Sequence, residues 1–351
     1  MGGGLIQLVA YGAQDVYITG NPQITFFKTV YRRHTNFSCE AVEQTFNGDV
    51  AFNGRASCQI TRNGDLVGKM YLKATLKKER GSKLVYDADP YDAGDYDATL
   101  YGATSYTGEG DLGQWVKNVG QAMIKNVELL IGGTMIDKQY GLWMTIWDEL
   151  SSSGDLDSSR NTVLGNELYS KPSGAVWDGS TDGTVNLFVP LQFFCCRNNG
   201  LALPLIALQY HDVRVDIEFN TADYCTKADF SGETAIDARI DRASLLVDYV
   251  YLDSEERKRF AQSSHEYLIE QIQYAGEDVY DSGVNKFRLN FNHPCKELIW
   301  SLKEDSSEHS EFSEDAINAK LCVNGHERMS QQPGLYFNKL QTLQHHSRTP
   351  S

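Results

Sequence analysis

VELLIGGTMID, Val127 to Asp137, is matched further along the chain by AKLCVNGHERM, Ala319 to Met329. Each reads as a strand, a Gly-containing turn and the start of a returning strand, with Gly133 aligned on Gly325. Downstream, Gly141-Leu142-Trp143 matches Gly334-Leu335-Tyr336 with a one-residue difference in spacing. Upstream, AVEQ (Ala41 to Gln44) matches LIEQ (Leu268 to Gln271), each near the start of its unit. Three weak matches in the same order point to two copies of one unit. The first copy runs on from Gly141 to a closing strand near Leu252, whereas the chain reaches Ser351 soon after Gly334. The second copy is therefore expected to be cut short at its C-terminal end.

Around the repeat the dominant pattern is two-residue alternation. Met70, Leu72, Ala74 and Leu76 alternate with Lys69, Tyr71, Lys73, Thr75 and Lys77, the signature of a half-buried strand. Val213, Val215, Ile217 and Phe219 alternate with Arg214, Asp216 and Glu218, and the opposite phase of Leu208 and Tyr210 predicts a bulge or bend near Asp212. Further strands are predicted at 39–46, 55–61, 121–131, 185–190, 245–252, 268–274, 287–291 and 298–302. One helix stands out: Leu142, Trp143, Ile146, Trp147 and Leu150 share a face, with Asp137 as the predicted N-cap and SSSG as the stop. Short strands separated by Asn47-Gly48, Asn53-Gly54 and Asn63-Gly64 turns predict antiparallel sandwiches, and the missing strand–helix alternation speaks against a parallel α/β fold.

With 351 residues the chain has room for two domains, and 41% hydrophobic against 23% charged residues is a globular composition. A net charge of −15 and a pI near 5.0 disfavour a phosphate backbone as direct partner. Arg32-Arg33 and the EERKR run from Glu255 to Arg259 are too short or too mixed to form a basic arm. The longest apolar run, Leu201 to Leu208, is too short to cross a bilayer and contains Pro204. The start MGGGLIQL predicts no signal peptide, and Ile6 stands where a myristoylation signal wants Ser or Thr. Seven Cys, including the adjacent Cys195-Cys196, fit buried reduced thiols better than a disulfide framework.

Motifs for chemistry are missing. None of His34, His211, His265, His293, His309, His326, His345 and His346 forms the spaced pair a jelly-roll metal site needs; His345 and His346 are adjacent and would point apart on a strand. The segment 85–113 carries Asp87, Asp89, Asp92, Asp95, Asp97, Glu109 and Asp111 without a Lys or Arg, and Tyr recurs at 86, 91, 96, 101 and 106. As an EF-hand from Asp87 it fails, since Tyr91, Asp92 and Ala98 stand where a ligand, Gly and Glu are required. It reads as a solvated excursion loop, as does 304–315. There is no G-x-S-x-G, P-loop or H-E-x-x-H, and the Asn36-Phe37-Ser38 sequon has no secretory signal beside it. No catalytic, cofactor-binding or metal-ligating residue is assigned, and no cofactor.

Longer blocks carry a resemblance. GGGLIQLVAYGAQDVYITGNPQITFFKTVYRRHTNF (Gly2 to Phe37), GLALPLIALQYHDV (Gly200 to Val213), HEYLIEQIQ (His265 to Gln273), NHPCKELIW (Asn292 to Trp300) and the terminal YFNKLQTLQHHSRTPS are similar to the major capsid proteins of large icosahedral nucleocytoplasmic DNA viruses, the algal-virus (phycodnavirus-like) group. The resemblance implies an all-β double jelly roll: two antiparallel β-sandwiches in tandem, the second incomplete here. It implies an N-terminal base segment at 1–30, a first jelly roll at 31–255 carrying the acidic loop 85–113, and the N-terminal half of a second at 262–351. The implied function is that of a structural, non-enzymatic late protein of the virion, assembled in the host cytoplasm. Its homotrimers would form pseudo-hexagonal capsomers of the icosahedral shell of a double-stranded DNA virus. Implied partners are further copies of itself, minor capsid and penton proteins and an inner membrane layer, with no direct nucleic-acid contact. The alternative is a jelly-roll carbohydrate-binding, lectin-like module, suggested by Tyr and Asp in exposed loops.

Overall fold

The computed structural model describes residues 35–79, 114–152, 157–165, 184–227, 237–279, 284–302 and 318–349. The base segment, the acidic loop 85–113 and the polar stretch 304–315 lie outside the described residues. The first unit comprises β1 (Phe37–Thr45), β2 (Asn47–Gly48), β3 (Arg55–Gln59), β4 (Leu66–Glu79), β5 (Gln114–Trp115), β6 (Ile124–Ile131), β7 (Thr134–Tyr140), β8 (Thr184–Pro190), β9 (Leu203–Pro204), β10 (Val213–Phe219), β11 (Thr226–Lys227) and β12 (Asp237–Leu252). Between them lie short helices α1 (Val119–Ala122), α2 (Gly141–Ser151), α3 (Asp157–Leu164), α4 (Phe194–Arg197) and α5 (Ala222–Cys225).

Two antiparallel sheets face each other, one ordered β1-β12-β4-β8 with β9 beside β4, the other β2-β3-β10-β6-β7. Among the long strands only β6 and β7 form a hairpin; the other connections pass from one sheet to the other, and the first and last strands, β1 and β12, are neighbours. That order is a jelly roll. The alternating residues do what the pattern predicts: Met70, Leu72, Ala74 and Leu76 from one sheet and Val213, Val215, Ile217 and Phe219 from the other are buried in the shared core. Cys195 and Cys196 are also in this core, Sγ atoms 3.9 Å apart. Their hydrogen bond and burial hold the Cys195 thiol well above its ordinary range, so it is an inert, protonated packing group.

Several expectations are corrected. The strand predicted from residue 121 begins at Ile124, because Val119–Ala122 is a helical turn. β12 begins at Asp237, not Leu245: its inward residues change from even (Ala238, Ile240) to odd (Leu245, Val247, Tyr249) across a register shift between Ile240 and Arg242. That bulge hides the alternation from a period-2 reading. At Leu208–Asp212, where a bulge or bend was expected, the chain turns before β10 starts at Val213, so it is the bend that separates the two phases. Asp137 does not cap α2 but lies within β7; the N-cap is Tyr140, which makes no side-chain capping bond. The chain can turn there because Gly141 has no Cβ; one added would sit 2.3 Å from both the Gln121 and the Ile124 carbonyl oxygens.

In the second unit β13 (Ala319–Val323) and β14 (His326–Gln332) form the predicted hairpin. It reproduces the β6–β7 hairpin closely. Both turns hold two residues at positive φ, Gly132 (59°) and Gly133 (81°) against Asn324 (52°) and Gly325 (80°). In both, the ladder slips at the same place: Leu129 pairs with Asp137 past Ile136, and Leu321 pairs with Met329 past Arg328. The ladders predicted at 268–274, 287–291 and 298–302 are not formed, since no strand among the described residues pairs with these segments. Their apolar residues are exposed instead: Leu268, Phe287, Leu289 and Trp300 are each about half exposed. α6 (Ser254–Gln262), which contains the EERKR run, links the two units with no buried residue. The Tyr336–Gln341 π-helical turn and α7 (Thr342–His345) take the place that α2 has in the first unit.

Candidate functional site

The sandwich has two lateral sides, and the described residues place different chemistry on each. Along the β7 side the second unit attaches. Residues 271–274 run beside β7: Gln271 Nε2 donates to the Ile136 carbonyl, the Ile272 N–H donates to Asp137 Oδ1 at 3.2 Å, and the Tyr140 and Tyr274 rings meet at 4.9 Å. Asp137 is 3% exposed, and its other oxygen accepts from Gln139 Nε2 at 2.8 Å. Burial raises its carboxyl above the ordinary range, while the Gln139, Ile272 and Lys138 hydrogen bonds pull the other way.

Beside this clasp stands Arg197, at the end of α4. Its guanidinium lies 4.3 Å from the Trp147 ring centroid and 5.9 Å from that of Trp143, and its Nε donates to the Gln192 carbonyl at 2.9 Å. Nη1 reaches Glu270 of the second unit at 3.6 Å. The C-terminal segment closes the junction from the far side of α2: the Arg348 N–H donates to the Leu150 carbonyl at 3.2 Å, Arg348 pairs with Glu149, and His346 meets Trp147 edge-on. Tryptophans predicted as one apolar helix face thus serve as the floor between two units, stacked on each other at 5.6 Å. A planar cation on a paired indole surface, partly desolvated, is a strong and orientation-specific contact.

On the opposite lateral side the described residues of β1 are mostly exposed. Between β1 and β3 runs a slot of about 520 Å³ lined by Gln44, Thr45, Asn47, Gln59, Ile60, Thr61, Arg62 and Asp212. Gln44 Oε1 accepts from Thr61 Oγ1 at 3.0 Å, and Tyr249 Oη fixes Thr61 through its carbonyl at 2.6 Å. The slot holds one carboxylate and no aromatic ring, so it has neither the paired acids of a glycosidase nor a stacking platform for sugar. Among the described residues no cluster of three His, Cys, Asp or Glu is placed to hold a metal ion, and no helix is long and apolar enough to cross a membrane. The outer face of the second sheet is tied by charges: Arg55 to Glu128 and Asp216, Arg214 to Asp216, Lys138 to Glu128, and Lys125 to Glu218.

Sequence reading assigns no site residue and misses the junction. Asp137 is visible as the last residue of the repeat and Gln271 as the end of LIEQ, yet nothing in the one pattern points to the other. The EERKR run forms the exposed α6, with Arg257 bonded to the buried Asp65 at 2.9 Å. The acidic segment 85–113, which fails as an EF-hand, and His34 and His309 lie outside the described residues.

Two family models match the chain. One, described as major capsid protein N-terminus, covers residues 25–253; the other, described as large eukaryotic DNA virus major capsid protein, covers 256–351. The chain is 47% identical over 352 residues to the major capsid protein of Pyramimonas orientalis virus, covering all of this chain and 78% of that protein. It is 44% identical over 340 residues to that of Chrysochromulina ericina virus, covering 88% of this chain but 58% of the relative. It is 36% identical over 384 residues to that of Paramecium bursaria Chlorella virus 1, covering 98% and 78%. Among solved structures a PBCV-1 virus capsid superposes with a TM-score of 0.66 at 30% identity, covering 91% of this chain and 77% of that one.

Proposed function

The chain belongs to the large eukaryotic DNA virus major capsid proteins, and from that membership we propose that it builds its shell as homotrimeric, pseudo-hexagonal capsomers. It is a structural protein of the virion capsid, of double jelly-roll fold, in a family that assembles into capsid lattices and is not enzymatic. The observation that carries the proposal is the duplicated hairpin, with the same turn and the same ladder slip in both copies of one chain. Two similar units per chain give a trimer six similar edges, which suits a hexagonal lattice.

The boundaries 31–255 and 262–351 are proposed as the two units, with α6 as the spacer between them. Residues 1–30 are proposed as a base segment contacting neighbours or an inner membrane layer, and 85–113 as the outward tower. Minor capsid and penton proteins are the further partners in this reading. A net charge of −15 keeps free chains apart before assembly and leaves the genome to other components.

Light scattering and electron microscopy of the purified chain test the proposal. Trimers of hexagonal outline are expected, and deleting Gly2 to Thr25 should keep the sandwich folded while impairing assembly. A strictly monomeric chain at all concentrations overturns the capsomer, and unchanged assembly after the deletion overturns the base segment.

A further inference from the structure

We infer that Tyr140 and Tyr274 form an oxidative cross-linking site at the junction of the two units, where hydrogen peroxide, activated by a haem peroxidase, couples the two rings through a carbon–carbon bond. The bond lies within one chain, fastens the second unit to the first covalently and does not depend on assembly.

Tyr140 closes β7 in the first unit, and Tyr274 ends the segment of the second unit that runs beside that strand. The ring centroids lie 4.9 Å apart with the planes tilted by 48°, a separation at which carbons of the two rings touch. The bonds of Gln271 to the Ile136 carbonyl and of the Ile272 N–H to Asp137 hold the two backbones together, so the rings meet by construction. Tyr274 is 49% exposed, within reach of an oxidant. Its hydroxyl donates to Glu277 Oε1 at 3.2 Å. Burial, the Glu277 carboxylate and the neighbouring Tyr140 and Tyr224 push that hydroxyl up to about 12, so at neutral pH it keeps its proton and stays the donor. Once an electron leaves the ring the phenol becomes a strong acid, and Glu277 is the base already placed to take its proton.

The chemistry balances. Each ring gives up one electron and its hydroxyl proton, and the carbons ortho to the two oxygens join. The hydrogens on those carbons then move to the oxygens as the rings regain aromaticity. Hydrogen peroxide accepts the two electrons and two protons, its O–O bond breaks, and two waters form. The peroxidase passes the electrons on and returns to its starting state. The contacts described at the junction are hydrogen bonds, ion pairs and ring contacts, all reversible. A covalent bond from 140 to 274 removes the open states in which the segment lifts away from β7.

The test uses the full chain with the exposed Cys39, Cys295 and Cys322 changed to Ser, so that thiols do not consume the oxidant. It is treated with hydrogen peroxide and a haem peroxidase, and the band of single-chain mass is recovered from a denaturing gel. Mass spectrometry should find the peptide of Tyr140 joined to that of Tyr274, lighter than their sum by two hydrogens. Tyr140→Phe and Tyr274→Phe keep the ring contact, should melt near the parent and should each lose the joined peptide. Glu277→Gln should form it more slowly, because an amide takes no proton. After oxidation, hydrogen exchange at Ile272 should fall in the parent and stay unchanged in Tyr140→Phe. Tyr224, which shares the field of Glu277 and Tyr274, is the competing ring. Coupling of Tyr274 to Tyr224 instead, linkage only between chains, or no linked product overturns the site. A rate unchanged by Glu277→Gln overturns the proton transfer.

Discussion

Asp137 Oδ1 accepts the Ile272 backbone N–H at 3.2 Å, joining a strand of the first unit to the segment that opens the second. The carboxylate is 3% exposed and also holds Gln139 Nε2, which in turn donates to the Gln192 carbonyl at 2.8 Å. One side chain therefore organises three separate stretches of backbone. Asp137→Ala strands the Ile272 N–H and half the bonding of Gln139, and should cost about 1–3 kcal/mol. Asp137→Asn keeps an acceptor and should cost less. Urea titration measures both, and hydrogen exchange at Ile272 should rise in the Ala variant while exchange in β4 stays near the parent.

The same residue fixes the sign of a pH effect. Burial raises the Asp137 carboxyl in the folded protein above its ordinary value. Between the ordinary and the raised value the folded state binds more protons than the unfolded one, so this group's contribution grows as pH falls through the raised value and levels off below the ordinary one. Glu43 runs the other way: hydrogen bonds from Ser244 and Lys73 lower its carboxyl, so its contribution is full above the ordinary value and is lost as pH falls through the lowered one. Urea midpoints between about pH 3 and 7 separate them. Asp137→Asn should remove stabilisation that appears on acidification, and Glu43→Gln should remove a loss. Identical pH slopes in parent and Asp137→Asn would rule out the assignment to Asp137.

What could be read from sequence follows from how local each signal is. The middle of β4 and the whole of β10 are legible because every second residue from Met70 to Leu76 and from Val213 to Phe219 faces one core. The first half of β12 is not, because the bulge at Asp241 reverses the phase. α6 is mostly charged, with Phe260 its one large apolar residue, and reads as a charge cluster, since no apolar stripe marks it. The repeat is legible because its turn needs positive φ, which selects Gly and Asn at 132–133 and 324–325. The junction is illegible for a different reason: Asp137, Arg197 and Ile272 come together only after the sandwich forms. Segments 268–274 and 298–302 carry strand patterns, but a ladder needs a partner, and a pattern cannot supply one.

Gly141 makes the sharpest packing prediction. It sits where β7 ends and α2 begins, and a Cβ there would lie 2.3 Å from the carbonyl oxygens of Gln121 and Ile124. Neither oxygen belongs to a flexible side chain; both are backbone of the α1–β6 segment, whose residues Gln121, Ala122, Met123 and Ile124 are buried. Relief requires α2 to move, and with it Trp143 and Trp147, on which Arg197 rests. Gly141→Ala should therefore cost about 3 kcal/mol or more, at the upper end of overpacking effects. Its helical φ would otherwise favour Ala, so a stabilising result would show that the close approach is absent. Tryptophan fluorescence read alongside urea unfolding checks both parts, with a shifted native-state emission expected before any loss of cooperativity.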